Sequence, residues 1–190
     1  MKTKKFRSVF LGLVLTFTSL GVTTSTAFSQ NLNDLRVGEM KNVVIRENPT
    51  PLPDFSFKDS EGKSHNISDF QGKVVLINFW ATWCAPCRKE MPSIDRLQGE
   101  MASDDFTVLA IGQDLQGIEK VSKFLKALKI KHLAAYNDKT VKSGRAAGVF
   151  GLPATLLIDR KGNELARLVG PAEWDSEEAK TLIRAVIDQK

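Results

Sequence analysis

Cysteine and histidine are scarce in this chain of 190 residues: Cys84 and Cys87 are its only thiols, His65 and His132 its only imidazoles. A structural zinc site takes about four such ligands. There is no second cysteine pair and neither histidine falls near the cysteines in the pattern, so no metal and no cofactor are expected. A disulfide scaffold is excluded as well, because a bridge across a two-residue gap closes too small a loop to constrain the unfolded chain much. No apolar run reaches the roughly 20 residues that cross a bilayer. Beyond residue 29 no Lys/Arg cluster interleaves with aromatics, which argues against a nucleic-acid partner. Repeats and low-complexity tracts are absent too.

Acidic residues are missing from the first 29 positions, which carry Lys2, Lys4, Lys5 and Arg7. An apolar run from about Val9 to Val22 follows, interrupted by Thr16, Thr18 and Ser19, and candidate cleavage sites lie at Ala27 and Ser29. That layout predicts an export signal over 1–29, with an uncleaved membrane anchor as the alternative. The expected location is the periplasm, or the inner membrane facing it. Taking those 4 basic residues from 27 leaves 23 Lys plus Arg against 22 Asp plus Glu, so the remainder is nearly neutral at +1. No cysteine lies near the signal to carry a lipid. Export also implies a compartment in which disulfides form and persist.

The length suits one domain. Residues 30–50 are weakly patterned and end in the proline-rich "ENPTPLPDF", so they read as a tail or linker, with the domain at 51–190. "DFSFKDSEGKSHNI" alternates around Glu61-Gly62 and predicts a β-hairpin. "KVVLINFW" and "FTVLAIG" are apolar enough for strands covered on both faces. A helix is expected from about Pro86, broken or kinked at Pro92. "IEKVSKFLKALKI" spaces its apolar residues for a second helix, and Asp138 is a candidate cap for a short third one. "ATLLIDRKGNELARLVG" predicts a second hairpin. In "DSEEAKTLIRAVIDQ", Asp175 and Glu178 form a capping pair for the last helix, with Trp174 as its hydrophobic staple. Strands alternating with helices and a terminal hairpin give an α/β sandwich.

The cysteines stand in "WATWCAPCRKEMP", between a buried strand and a helix. Cys84 would occupy the helix's first turn, where unpaired N–H groups and the helix dipole stabilise an anion and lower the thiol pKa below about 8.5. Pro86 suits that turn because its missing N–H has no helical partner to lose. Cys87 lies three residues on, on the same side and one turn deeper. Cys84 therefore reads as the attacking thiol and Cys87 as the resolving one.

"WCAPC", Pro92 and "GLPAT" resemble the thioredoxin superfamily. The wording "LINFWATWCAPCRKEMP", the upstream hairpin, the export segment and the helical insert before "GLPAT" are similar to its exported TlpA-like branch, over about 52–190. The resemblance implies a thioredoxin-like sandwich: a mixed central sheet flanked by helices, with an N-terminal hairpin extension and an inserted helical segment. It implies a thiol:disulfide oxidoreductase, usually a reductase, in cytochrome c maturation or cytochrome oxidase assembly. Its clients would be apocytochrome c or oxidase assembly factors, and a membrane electron donor would recharge it. It also implies a cis peptide at Leu152-Pro153, exposing backbone beside Cys84 to an extended client, and a Trp83 that covers the disulfide and touches clients. Trp80 is read as core.

Two positions depart from thioredoxins proper. Their buried aspartate falls on Asn78, which cannot titrate and is read as satisfying neighbouring backbone groups; its lysine partner falls on Ala110. The Cys87 proton then needs water, the client thiolate or Glu90, although Glu90 reads first as a solvated surface charge. His65 and His132 read as ordinary packing or exposure. A copper carrier for oxidase assembly is the alternative function, but it normally adds a residue between the cysteines and a nearby histidine. A peroxidase would keep a lone cysteine in a proline-rich loop, which "WCAPC" is not.

Overall fold

The computed structural model describes residues 31–189. The predicted export segment lies outside them. Two short 3-10 turns, Leu32–Leu35 and Gly38–Met40, lead into β1 (Val44–Pro51), followed by the hairpin β2 (Ser56–Asp59) and β3 (Ser64–Asn66). Next come β4 (Val74–Trp80), α1 (Ala85–Met101), β5 (Phe106–Gly112), α2 (Ile118–Ala127), β6 (Tyr136–Asn137) and α3 (Lys142–Ala146). The hairpin β7 (Ala154–Ile158) and β8 (Asn163–Val169) precedes α4 (Glu177–Ile187). All eight strands form one mixed sheet in the order β1-β8-β7-β4-β5-β6-β2-β3, with β4, β5 and β6 parallel to one another.

Strand β4 is the centre, and every residue of it is buried. Its side chains alternate between faces, as the two-residue strand period requires. Val74, Leu76 and Trp80 face α1, α2 and α4, with Ile94, Leu97, Val121, Leu182 and Ile183. Val75, Ile77 and Phe79 face the opposite way, into Phe55, Phe57, Ile67 and the segment after α3. Both hairpins turn through Asp-x-x-Gly. Asp59 accepts from the N–H groups of Glu61 and Lys63, Asp159 from those of Lys161 and Asn163, and Gly62 and Gly162 take the positive φ at which an L side chain would be strained.

Four local expectations need correction. Of the segment 30–50, the described residues 31–50 are not a linker: β1 pairs antiparallel with β8, and Met40 and Val43 join the core cluster of Trp174, Leu182 and Ile183. Its prolines are tolerated because β1 is an edge strand, where a missing N–H costs no ladder bond. Of the break or kink expected at Pro92, the break does not occur: helix α1 runs on through Pro92 to Met101. Ser176, not Asp175, caps α4 by accepting from the Ala179 N–H, while Asp175 is paired with Arg96 of α1. Asp138 does take the Ser143 N–H at 2.7 Å, but from outside α3, whose N-cap position is Val141.

Candidate active site

The sequence "ATW" carries the chain from the buried end of β4 to Cys84, which has extended backbone and is the N-cap of α1. Ala85 and Pro86 form the first helical positions. The Cys87 N–H donates to Cys84 Sγ at 3.3 Å, so one of the helix's otherwise orphaned donors points at the sulfur predicted to carry charge. The two sulfurs are bonded as a disulfide, with Cα atoms 5.3 Å apart. Cys84 retains 5 % exposure and Cys87 none. Both cysteines are therefore buried, and they differ only in that Cys84 keeps a small accessible area where Cys87 keeps none.

The loop before Cys84 is held by a residue that sequence reasoning missed. Asp114, fully buried after β5, accepts from the Thr82 N–H at 2.9 Å and from the Thr82 hydroxyl at 2.5 Å. Its own backbone is locked by the side-chain amide of Asn137, and Lys120 Nζ lies 3.6 Å from its carboxylate. The signal was available: "GQD" puts polar residues at the end of an apolar strand that pairs with the strand leading to the cysteines.

Beneath the pair the structure overturns the surface reading of Glu90. That carboxyl is 2 % exposed, and burial pushes its pKa up from 4.5 to about 7, against the pull of three donors. These donors are Asn78 Nδ2 at 2.9 Å, the Ala172 N–H at 3.1 Å and Trp174 Nε1 at 3.3 Å. Helical spacing could have shown it, since Cys87, Glu90, Met91 and Ile94 share one stripe, and all four are buried. Asn78 satisfies side chains, not backbone: its amide nitrogen also donates to Thr155, its partner across the sheet, while its oxygen Oδ1 has no partner. Trp174 is a donor to Glu90 as well as an apolar cover, and Trp80 is core as expected.

The predicted client surface lies alongside. The Leu152-Pro153 peptide is cis. Leu152 packs on the cluster that contains both cysteines. Among the described residues the backbone groups of Gly151 and Leu152 make no hydrogen bond. Trp83 is 65 % exposed and borders a cavity of about 330 Å³ with Leu152. The histidines stay apart from the cysteines: His65 pairs with Asp59 on the first hairpin, and the His132 backbone N–H donates to Asp95.

Comparison with known proteins agrees with this geometry. The Redoxin family model matches residues 47–183. Thioredoxin-like protein YneN of Bacillus subtilis is 39% identical over 124 residues, 64% of this chain and 71% of that protein. Thiol-disulfide oxidoreductase ResA of Bacillus anthracis is 31% identical over 169 residues, covering 88% and 90%. Among solved structures, a Chlorobium tepidum protein assigned as thiol:disulfide interchange protein DsbE superposes with a TM-score of 0.65 at 32% identity, over 74% of this chain and 98% of that one. The exposed lipoprotein thioredoxin Etrx1 of Streptococcus pneumoniae gives 0.60 at 29% identity, over 70% and 99%. The fold is thus shared with these structures: the chain belongs to the Redoxin family and is a TlpA-like thiol:disulfide oxidoreductase of the thioredoxin superfamily.

Proposed function

We propose that this oxidoreductase is exported by residues 1–29, cleaved or retained as an anchor, and works in the periplasm as a reductase of protein disulfides. The observation that carries the reading is the asymmetric cysteine pair, with Cys84 capping α1 and Cys87 sealed below it. In the dithiol form the Cys84 thiolate attacks a client disulfide, forming a Cys84–client bond and releasing one client thiolate. Glu90, on the same buried stripe of α1, takes the Cys87 proton. The Cys87 thiolate then attacks Cys84 Sγ and releases the second client thiolate. Two electrons pass to the client, and the protein ends as the Cys84–Cys87 disulfide. A membrane dithiol donor returns the electrons. Ala85 and Pro86 put no charge between the cysteines, so the Cys84 thiolate is stabilised only moderately, as suits a reductant. The TlpA-like resemblance supports cytochrome c maturation or cytochrome oxidase assembly as the setting, with apocytochrome c or oxidase assembly factors as clients. Insulin reduction with dithiothreitol tests the chemistry: the protein should accelerate it, and a Cys84→Ser variant should not. Equal rates for the two would overturn the mechanism.

A further inference from the structure

The cavity beside Trp83 has a construction that disulfide exchange does not use. Its volume, about 330 Å³, sits at the low end of the roughly 300–1,000 Å³ of ligand pockets, a size suited to one large side chain. Trp83, Val149, Phe150 and Leu152 make apolar walls, and Phe150 is 94 % exposed. Rings left in water beside a reactive site mark an interaction surface. At the cavity lies Gln113, a residue with 6 % exposure whose amide nitrogen is committed to Gly112 O and Ser143 Oγ at 3.1 Å each. Its oxygen Oε1 receives no hydrogen bond among the described residues. Gly144 lines the same cavity, and a Cβ there would stand 3.0 Å from that oxygen, so glycine keeps the acceptor uncovered. The last lining group that matters is Arg145, exposed and without an ion pair among the described residues, as is the neighbouring Lys142.

Apolar walls, one unpaired acceptor on a buried residue and a free cation specify an occupant. We propose that this cavity is a specificity subsite for the client: an extended client segment adds to the free backbone of Gly151 and Leu152 and inserts an aromatic side chain tipped by a hydrogen-bond donor, tyrosine above all, with an acidic residue beside it. In a paired strand alternate side chains face the same way. The tyrosine therefore lies two residues from the cysteine presented to Cys84. Its hydroxyl donates to Gln113 Oε1, and the acidic neighbour meets Arg145. The inference rests on the reductase reading given above.

The test uses the reduced full chain and synthetic peptides that each contain one intramolecular disulfide, with Tyr, Phe or Ala two residues from one cysteine and Asp or Lys beside it. Rates are divided by the rate on a small aromatic disulfide that reaches only the sulfurs. The Tyr/Asp peptide should lead the Ala/Asp peptide by about tenfold or more, and the Phe peptide should fall between them because it buries Gln113 Oε1 unpaired. Gln113→Met should erase the preference for Tyr over Phe. Arg145→Glu, on an exposed side chain, should reverse the preference from Asp to Lys. Equal normalised rates for Tyr, Phe and Ala, or no reversal with Arg145→Glu, would overturn the subsite while leaving the reductase intact. A dimer in solution that Phe150→Ser dissociates would also overturn it, since a second copy would then be the occupant. A protein that reduces neither peptides nor the small disulfide would overturn the reductase reading and the subsite with it.

Discussion

Replacing Glu90 by glutamine should make the protein more stable at pH 8 than at pH 4.5, relative to the unsubstituted chain. The carboxyl titrates at about 7 in the folded state because burial penalises its charged form, against 4.5 as its ordinary value. That interval corresponds to about 3 kcal/mol at 1.36 kcal/mol per pH unit. The direction follows from proton counts. Between pH 4.5 and 7 the folded chain holds the Glu90 proton and the unfolded chain does not, so stability falls as pH rises through this window and the whole loss is present above 7. Glutamine carries no charge and escapes the loss. It also fits the site: its oxygen can accept from Ala172 and Trp174, and its NH2 can face Asn78 if that amide turns its unpartnered Oδ1 inward. Asp138 and Asp175, whose pKa values are lowered, stabilise in the opposite sense on acidification, but they are common to both proteins and cancel in the difference. Urea unfolding of the oxidised proteins from pH 4.5 to 8 measures it. A difference that stays flat with pH, or that turns against glutamine as pH rises, would refute the reasoning and place an ionised Glu90 in the core.

Asp114→Ala should destabilise the oxidised protein by about 3 kcal/mol, because it leaves the buried Thr82 N–H and hydroxyl without an acceptor. It should also slow alkylation of Cys84 in the reduced chain, and Asp114→Asn, which keeps one acceptor, should recover part of both; stability curves and alkylation rates report the two effects. Met40→Ala should cost about 2–5 kcal/mol in urea unfolding, as a buried core truncation does. A loss below about 1 kcal/mol would mean that 31–50 is the appendage its sequence suggests.

The parts of the fold with strong periodicity were legible. Buried strands β4 and β5, both hairpins and the amphipathic α2 and α4 announce themselves through runs and spacings set by backbone geometry. The cysteines at the mouth of α1 were legible too, since a strand, Cys-x-Pro-Cys and a helix leave Cys84 little choice but the N-cap. Edge strand β1 was not, because its side chains are mostly exposed and its partner β8 is over a hundred residues away, so neither alternation nor local composition marks it. Glu90 was misread because residue type outweighed position: a carboxylate is rarely buried unless paired. Here two residues more than eighty positions downstream, Ala172 and Trp174, help receive it. Asp114 was passed over although "GQD" marks it, because the partner that explains its burial, Thr82, belongs to another strand's loop.

The most direct test is a pH titration of thiol alkylation in the reduced full chain, with the two cysteines resolved by mass spectrometry. Cys84 should react as a thiolate with a pKa below the free value of about 8.5, while Cys87 stays slow across the neutral range. Equal rates for both sulfurs, or a faster Cys87, would contradict the account.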